Sequence, residues 1–296
     1  MIKTNINQII KLISCQLTEL KVKDINERGE EILWYETNMH GNINEIQDIN
    51  DLYRLFFKAI ITANRSWMNL LRNGRIDAMN RLLDNCNVEV VYNNVQNNKE
   101  YYWNKWDEYR KQGNRIEGLQ LEIINFTNNS EYFYKNKGTL LRDLKNDYSM
   151  IDESGYNLKI KYKIQTDRLN KFLDAFRGRG VRMALGCEFM KNIGFDDFKP
   201  DVHMKRLFYR WGLLESDKDD EAKKCREAAF EIATKIDNES FLPWMVAVDD
   251  KEKKLVYLDN ILWMFCASGY GDVCKKDPNC GNCKLRNNPC NYIKKI

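Results

Sequence analysis

Residues 274–290 read CKKDPNCGNCKLRNNPC, and this segment decides how the rest of the chain is interpreted. Cys274, Cys280, Cys283 and Cys290 supply four of the nine cysteines within one short loop. Four thiolates so placed can surround one metal centre, and an intracellular chain with clustered cysteines favours a metal site over disulfides. Ligand type alone leaves zinc and an iron–sulfur cluster open, because both accept four cysteines.

The bulk composition is that of an ordinary folded protein. The chain has 296 residues, of which 43% are hydrophobic and 30% charged, enough for one large domain or two moderate ones. The sequence contains no apolar run long enough to cross a membrane, and its start predicts an amphipathic helix rather than a signal peptide. We therefore expect a cytoplasmic protein. The net charge of +4 is only a weak indication of a polyanionic partner.

The remaining cysteines stand singly in apolar helical patterns and are expected to be small buried thiols: Cys15, Cys86, Cys187, Cys225 and Cys266.

A second informative segment, residues 176–184, reads FRGRGVRMA. The Gly-x-Gly formed by Gly178 and Gly180 predicts a tight turn between two helices, where a side chain would block close approach to the backbone. The helix that follows begins at this turn, so its positive end can hold a phosphate group. On its own, Gly-x-Gly is a weak signal.

A third segment, residues 199–206, reads KPDVHMKR and places Asp201 directly after Pro200. The position predicts a helix start, where Asp201 can be a simple N-cap or a functional carboxylate. His203 is one of only two histidines. We interpret it as a hydrogen-bonding residue at the helix start rather than as a general base.

Together these segments resemble the helix-hairpin-helix DNA glycosylase superfamily, in particular endonuclease III and the adenine glycosylases. The family's cysteine loop usually reads C-x6-C-x2-C-x5-C, whereas this chain reads C-x5-C-x2-C-x6-C over the same span. Gly178, Gly180 and Ala184 match the family hairpin L-P-G-V-G-x-K-T-A, with Phe-Arg in place of Leu-Pro. Asp201 stands where the family's V-D-T-H segment carries its essential aspartate.

The resemblance implies a mainly α fold with two helical subdomains. Residues 51–195 would form a six-helix barrel with the helix-hairpin-helix near 176–192. Residues 1–50 and 196–296 would form the cluster domain, with a [4Fe–4S] cluster expected rather than zinc. The stretch 85–165 has no counterpart that we recognise.

A small β insertion is a further expectation within residues 85–165. A set of apolar and aromatic residues alternates with mostly polar ones, which is the period-two pattern of a strand: Tyr156, Leu158, Ile160, Tyr162 and Ile164. A weaker alternation covers residues 88–92. The exposed aromatics of this region could also line a base-binding pocket, although filling a core is the commoner role of such residues.

In function, the resemblance implies a DNA N-glycosylase that flips a base out of the duplex before cutting it from the sugar. Asp201 would stabilise the positive charge that develops on the sugar. Arg182 stands where bifunctional members carry the catalytic lysine, and arginine effectively cannot lose a proton to form a Schiff base. We therefore expect a monofunctional enzyme that acts as a monomer on double-stranded DNA, without a membrane partner.

Further DNA contacts are expected from the hairpin, the cysteine loop and one upstream segment. The segment ITANRSW, residues 61–67, resembles the family's L-S-A-Q-A-T-D, so that Asn64 would replace the glutamine that fills the space left by the flipped base. The expected DNA-binding residues are Gly178, Gly180, Arg182, Asn64, Lys275 and Lys276. Two alternatives stay open, a catalytically silent iron–sulfur DNA-binding protein of the same fold and a zinc-stabilised scaffold with no role on DNA.

The cysteine loop generates the first prediction. Cys280→Ala should lose most of the iron bound by protein purified without oxygen, and should unfold at lower denaturant concentration, because the cluster cross-links the loop. Iron content, visible absorption and urea unfolding measure these effects, with Cys15→Ala as the matched control that keeps its iron. A well-folded wild-type protein that contains no iron would contradict the cluster assignment.

Overall fold

A computed structural model describes residues 5–20, 42–61, 75–112, 120–154, 157–241, 244, 254–267, 271–286 and 290. Within these ranges the chain is mainly α-helical and contains no β-strand. None of the described helices is long and apolar enough to cross a membrane. The chain divides into two compact units, here called the hairpin unit (residues 41–195) and the cysteine unit (residues 1–40 and 196–296). Residues 41–50, expected with the N-terminus, thus fall in the hairpin unit.

The hairpin unit is built around one central helix, α2, which contacts most of the others in the unit. Its helices are α2 (Ile49–Ile61), α3 (Arg75–Leu82), α4 (Val88–Asn97), α5 (Tyr101–Lys111), α6 (Gln120–Asn128), α7 (Ser130–Lys135), α8 (Leu140–Glu153), α9 (Leu158–Ala175) and α10 (Met183–Asn192). Helix α2 begins after Asp48, whose Oδ1 accepts hydrogen bonds from the backbone N–H groups of Asn50 and Asp51.

The predicted β insertion is wrong, because both segments with alternating residues are helical. Helix α9 begins at Leu158, where the Asn157 side chain accepts a hydrogen bond from the Ile160 N–H. Its buried face starts with Lys161 and Gln165, so the apolar residues do not reveal the helical period at this end. Residues 88–92 lie in α4, capped in the same way by the side chain of Asn87.

A cluster of aromatic rings fills the centre of the hairpin unit. Phe56 of α2 lies 5.0 Å from Phe133, 5.1 Å from Phe176 and 5.4 Å from Phe189 between ring centroids. These rings are fully buried. Phe176 is the residue that replaces Leu at the start of the hairpin motif, and its burial among these rings anchors the chain where the turn begins.

The cysteine unit contains α1 (Ile6–Glu19), α11 (Val202–Arg210), α12 (Ala222–Ala233) and α13 (Lys254–Cys266). The predicted apolar face of α1 is confirmed for Ile6, Ile9, Ile10, Ile13 and Leu17, which are buried. Leu20, expected on the same face, follows the end of the helix and is exposed. Four of the five single cysteines are buried as expected, and Cys15 is half-buried.

A buried ion pair holds the segment that leads to Asp201. The Arg226 guanidinium of α12 donates hydrogen bonds to both carboxylate oxygens of Asp197, from Nε to Oδ1 at 2.7 Å and from Nη2 to Oδ2 at 3.0 Å. Both side chains are almost completely buried. Asp197 Oδ1 also accepts a hydrogen bond from the Phe198 N–H. This bidentate geometry compensates the cost of removing both charges from water.

Arg226→Ala should therefore destabilise the protein strongly, because it leaves the Asp197 carboxylate buried without its counter-ion. We expect a loss of about 3 to 5 kcal/mol in the free energy of unfolding, measured by urea titration. The control is Lys223→Ala on the same helix, whose ion pair with Glu227 is exposed and should change stability little. Equal stability of the two variants would show that the pair does not hold this segment.

Candidate functional site

The predicted hairpin is a turn between two helices. Helix α9 ends at Ala175, α10 begins at Met183, and residues 176–182 form the turn. Gly178 and Gly180 have φ angles of +76° and +81°, in the left-handed region that residues with a Cβ rarely adopt. The conformation explains why both positions are glycine.

The two glycines differ in what surrounds them. A Cβ added at Gly178 would meet nothing within 4 Å, so this part of the turn is open to solvent. A Cβ at Gly180 would lie 2.2 Å from Oδ1 of Asn125. This atom is at the end of a flexible side chain that can move, so it is the positive φ angle that requires glycine at position 180.

The hairpin also presents arginines. Arg177 is exposed and pairs with Asp174 at 2.7 Å, whereas Arg179 is half-buried and pairs with Glu131 at 3.1 Å. Arg182 is exposed at the residue before α10. The predicted Asn64 lies outside the residues that the structure describes.

In the cysteine unit, Asp201 is the N-cap of α11. Its Oδ1 accepts hydrogen bonds from the backbone N–H groups of His203 at 2.8 Å and Met204 at 3.1 Å. The residue is half-buried. The capping role foreseen for Asp201 is confirmed, and it fixes the orientation of the carboxylate at the positive end of the helix.

His203 is the second residue of the same helix, and its ring lies edge-on to Trp263 with 6.4 Å between the centroids. Burial lowers the pKa of His203, and the negative charge of Asp201, together with a weaker effect of a hydrogen bond to the Cys266 backbone, only partly opposes this shift. The imidazole is therefore neutral at pH 7. Its buried Nδ1 has no hydrogen-bond partner among the described residues.

The opposite end of α11 holds the cysteine loop through Arg210. Nη1 of this buried side chain donates hydrogen bonds to the carbonyls of Cys274 at 3.0 Å and Lys275 at 2.7 Å, and Nη2 donates to the carbonyl of Lys276 at 2.8 Å. Nη1 also lies 3.2 Å from Sγ of Cys274. The two lysines expected to contact DNA thus have their backbones fixed, with the Lys276 side chain exposed and Lys275 3.5 Å from Asp272.

Helix α1 contacts the later part of the same loop, at Asn282 and Lys284. The Gln16 side chain is 3% exposed and donates from Nε2 to the Asn282 carbonyl. Its Oε1 accepts a hydrogen bond from the Lys284 N–H at 3.0 Å. Lys284 also pairs with Glu19 of α1. The loop is therefore attached to α1 as well as to α11.

The thiols of the loop influence one another's charge. A hydrogen bond from Cys266, with help from the Arg210 guanidinium, lowers the pKa of Cys274 to about 6. Burial raises the pKa of Cys266 far above its usual value, so the shared proton stays on Cys266. Burial, followed by negative charge at Cys274, Cys290 and Cys280, raises the pKa of Cys283 to about 11.

The four thiols match a thiolate-bound metal centre in residue type, and one of them, Cys274, favours the thiolate. Among the described residues, no group of three or more His, Cys, Asp or Glu side chains is arranged so that it could hold a metal ion. The cluster stays a prediction.

Sequence reasoning missed Arg210, Gln16 and Cys266 as residues that support the loop. Local sequence patterns do not mark the first two, because Arg210 bonds to residues 64 to 66 positions later and Gln16 to residues more than 260 positions later. Cys266 could be recognised only as a further cysteine at the end of a helix shortly before the loop.

No protein-family model matches this chain, and comparison with curated proteins and with solved structures found no match. The resemblance to the glycosylases therefore depends on the motif residues described above and stays a prediction.

The Arg210 contacts generate the third prediction. Arg210→Met keeps the length of the side chain but leaves three carbonyls and the Cys274 thiolate without their donor. Backbone amides in the peptide covering residues 271–286 should exchange with deuterium about ten times faster, as measured by mass spectrometry. Arg206→Met removes an equal charge one turn earlier on α11 and should leave exchange unchanged. Equal exchange in both variants would show that Arg210 does not hold the loop.

Proposed function

We propose that the chain is a DNA N-glycosylase that flips a damaged, mismatched or modified base out of the duplex and cuts its N-glycosidic bond. One observation carries the proposal. Helix α11 has Asp201 at its N-terminus and Arg210 at its C-terminus, and Arg210 bonds to the cysteine loop. The segment that contains Asp201 and the cysteine loop are two of the three segments that resemble the glycosylases. Direct contacts through α11 thus join them within one unit.

The proposed cofactor is a [4Fe–4S] cluster held by Cys274, Cys280, Cys283 and Cys290. When bound, the cluster would cross-link the loop and take no part in the reaction on the base. The loop would then present Lys275 and Lys276 to phosphate groups as fixed positive charges.

The proposed reaction is hydrolysis at the sugar. The N-glycosidic bond breaks with its electron pair leaving on the base, so that positive charge develops on the sugar. The Asp201 carboxylate stabilises this charge and orients a water molecule, whose oxygen forms the new bond to the sugar carbon while its proton is transferred to the departing base. The two N-cap hydrogen bonds hold the carboxylate in place, which reduces the reorganisation needed in the transition state.

Arg182 makes the proposed enzyme monofunctional. A lyase step needs a neutral amine to form a Schiff base with the opened sugar, and the arginine guanidinium stays protonated. Arg182 instead supplies a positive charge that binds a DNA phosphate group at the start of α10. The open turn at Gly178 is the part of the hairpin at which the backbone can come closest to that phosphate.

A second candidate function is a catalytically silent DNA-binding protein of the same fold. The N-cap hydrogen bonds favour it, because they account for an aspartate at position 201 without any chemistry. The two candidates differ in whether the negative charge of Asp201 is needed, which the next experiment tests.

Wild-type protein should release a base from at least one member of a panel of duplexes with mismatched, deaminated, oxidised, alkylated or non-standard bases. Asp201→Asn should slow that release by about 10² to 10³ because the transition state loses a negative charge, while DNA affinity stays near wild type. Asparagine is an equally good N-cap, so folding should be preserved. The product should be an abasic site that breaks only in alkali, and borohydride should trap no protein–DNA adduct.

The matched control is Asp48→Asn, the same change at the N-cap of α2, which should leave base release unchanged. Full activity of Asp201→Asn would overturn the mechanism. A wild-type protein that binds duplex DNA but releases no base from the panel would favour the silent binding protein. A strong borohydride adduct would contradict the monofunctional assignment.

A further inference from the structure

Cys266 is a buried thiol that the proposed function does not use. It is the last residue of α13, it is fully buried, and it is not one of the four cysteines expected to hold the cluster. A buried cysteine far from other thiols is chemically inert. Cys266 differs from that case because Cys274, the first cysteine of the loop, lies beside it.

The backbone brings Cys274 back to the end of α13. The N–H groups of Val273 and Cys274 both donate to the Phe265 carbonyl, at 3.2 Å and 3.1 Å. Phe265 directly precedes Cys266 in the last turn of the helix. These two hydrogen bonds therefore place the backbone of Cys274 against the turn that carries Cys266.

The two side chains are in contact through their sulfur atoms. The Cys266 thiol donates a hydrogen bond to Sγ of Cys274. Nη1 of Arg210 lies 3.2 Å from the same sulfur, so two donors stabilise negative charge on Cys274. A disulfide bond is about 2 Å long, and a small displacement of two sulfur atoms that already touch is enough to form it.

The surroundings restrict which oxidant can act on this pair. Cys274 is 7% exposed, whereas Cys266 is not exposed at all. A small oxidant such as hydrogen peroxide can reach the first sulfur, and the second is then available to react with the oxidised product. A thiolate next to a second thiol is the arrangement that gives reversible oxidation in redox-sensing proteins.

We propose that Cys266 and Cys274 are a redox-active pair, which hydrogen peroxide converts to a disulfide in chains that hold no metal at Cys274. The Cys274 thiolate attacks one peroxide oxygen, so that an S–O bond forms, the O–O bond breaks and hydroxide leaves. The Cys266 sulfur then attacks Sγ of Cys274. The S–S bond forms as the S–O bond breaks, and the departing hydroxide leaves as water with the Cys266 proton. Overall, two thiols are oxidised to one disulfide and one peroxide is reduced to water.

The disulfide goes beyond the proposed function, because it needs neither DNA nor catalysis. It protects Cys274 from irreversible oxidation to the sulfinic and sulfonic acids, and a thiol reductant reverses it. Its consequence for the cluster rests on the proposed cofactor. A sulfur atom in a disulfide cannot bind iron, so the oxidised chain takes up no cluster at Cys274 until it is reduced.

The test uses the full chain, purified without oxygen and then exposed to hydrogen peroxide in small increments. At each step the bound iron is measured, the remaining thiols are blocked with N-ethylmaleimide, and the protein is digested without reductant for mass spectrometry. We expect a peptide pair that links Cys266 to Cys274 and that dithiothreitol separates again. If the protein carries iron, the crosslink should appear as the iron is lost.

Two variants show whether Cys266 acts on the oxidised Cys274. Cys266→Ala should lose the crosslink, and Cys274 should accumulate as the sulfinic and sulfonic acids. The matched control is Cys225→Ala in α12, which removes another fully buried thiol of the same unit and should leave the crosslink unchanged. Should Cys266→Ala fail to fold, the peptide map of the wild-type protein decides the question by itself.

A wild-type map in which Cys274 is linked mainly to Cys280, Cys283 or Cys290 would overturn the proposal. The same conclusion follows if the wild-type protein forms no crosslink and its Cys274 is over-oxidised as fast as in Cys266→Ala, because Cys266 then does not react with the oxidised sulfur.

Failure of this proposal is distinguishable from failure of the proposed function. If the crosslink forms while wild-type protein purified without oxygen carries no iron, the pair stands and the cluster is wrong. If wild-type protein carries iron and releases a base while peroxide produces no crosslink, only the pair is wrong.

Discussion

The hydrogen bonds of Arg210 are the constraint on which the cysteine unit depends most directly. One buried guanidinium binds three consecutive carbonyls and one thiol of a loop that has little regular structure of its own. A buried arginine is stabilised only when its donors are satisfied, and the loop carbonyls satisfy them in place of water. The same helix begins at Asp201, so the position of the candidate carboxylate and the path of the loop are set by one rigid element of nine residues. The ion pair of Asp197 with Arg226 fixes the chain just before this helix.

In the hairpin unit the corresponding constraint is the burial of Phe176. This ring packs into the aromatic core, while two residues later the chain is open to solvent at Gly178. The turn must therefore leave the core and return to α10 within a few residues, which requires the left-handed conformation of both glycines. Phe176 stands where the hairpin that this segment resembles has leucine, and it preserves the apolar anchor. Side-chain contacts then support the turn, from Asn125 of α6, from Asn129 between α6 and α7, and from Glu131 of α7.

The sequence predicted the helices and the turn more successfully than it predicted their contacts. Gly-x-Gly between two helical patterns located the hairpin correctly, because the requirement for positive φ is local. The strand expected near residues 156–164 was wrong, because Lys161 and Gln165 occupy buried positions of α9 where an apolar residue would have revealed the helical period. The contact of Gly180 with Asn125 was not predicted, because Asn125 lies in a helix more than fifty residues earlier. Arg210 escaped notice for the same reason, since partners distant in sequence leave no local pattern.

The structural and the proposed catalytic roles of Asp201 support each other. An N-cap carboxylate is held by two backbone N–H groups whose positions are fixed by the helix, so its orientation does not depend on flexible side chains. Both observed hydrogen bonds are accepted by Oδ1. Catalysis by charge stabilisation requires a carboxylate that is already oriented before the reaction begins. Neutral His203 beside it does not add a competing positive charge. A helix whose far end is fixed by Arg210 thus provides the rigid support that such a carboxylate needs, so one element determines the positions of both the loop and the aspartate.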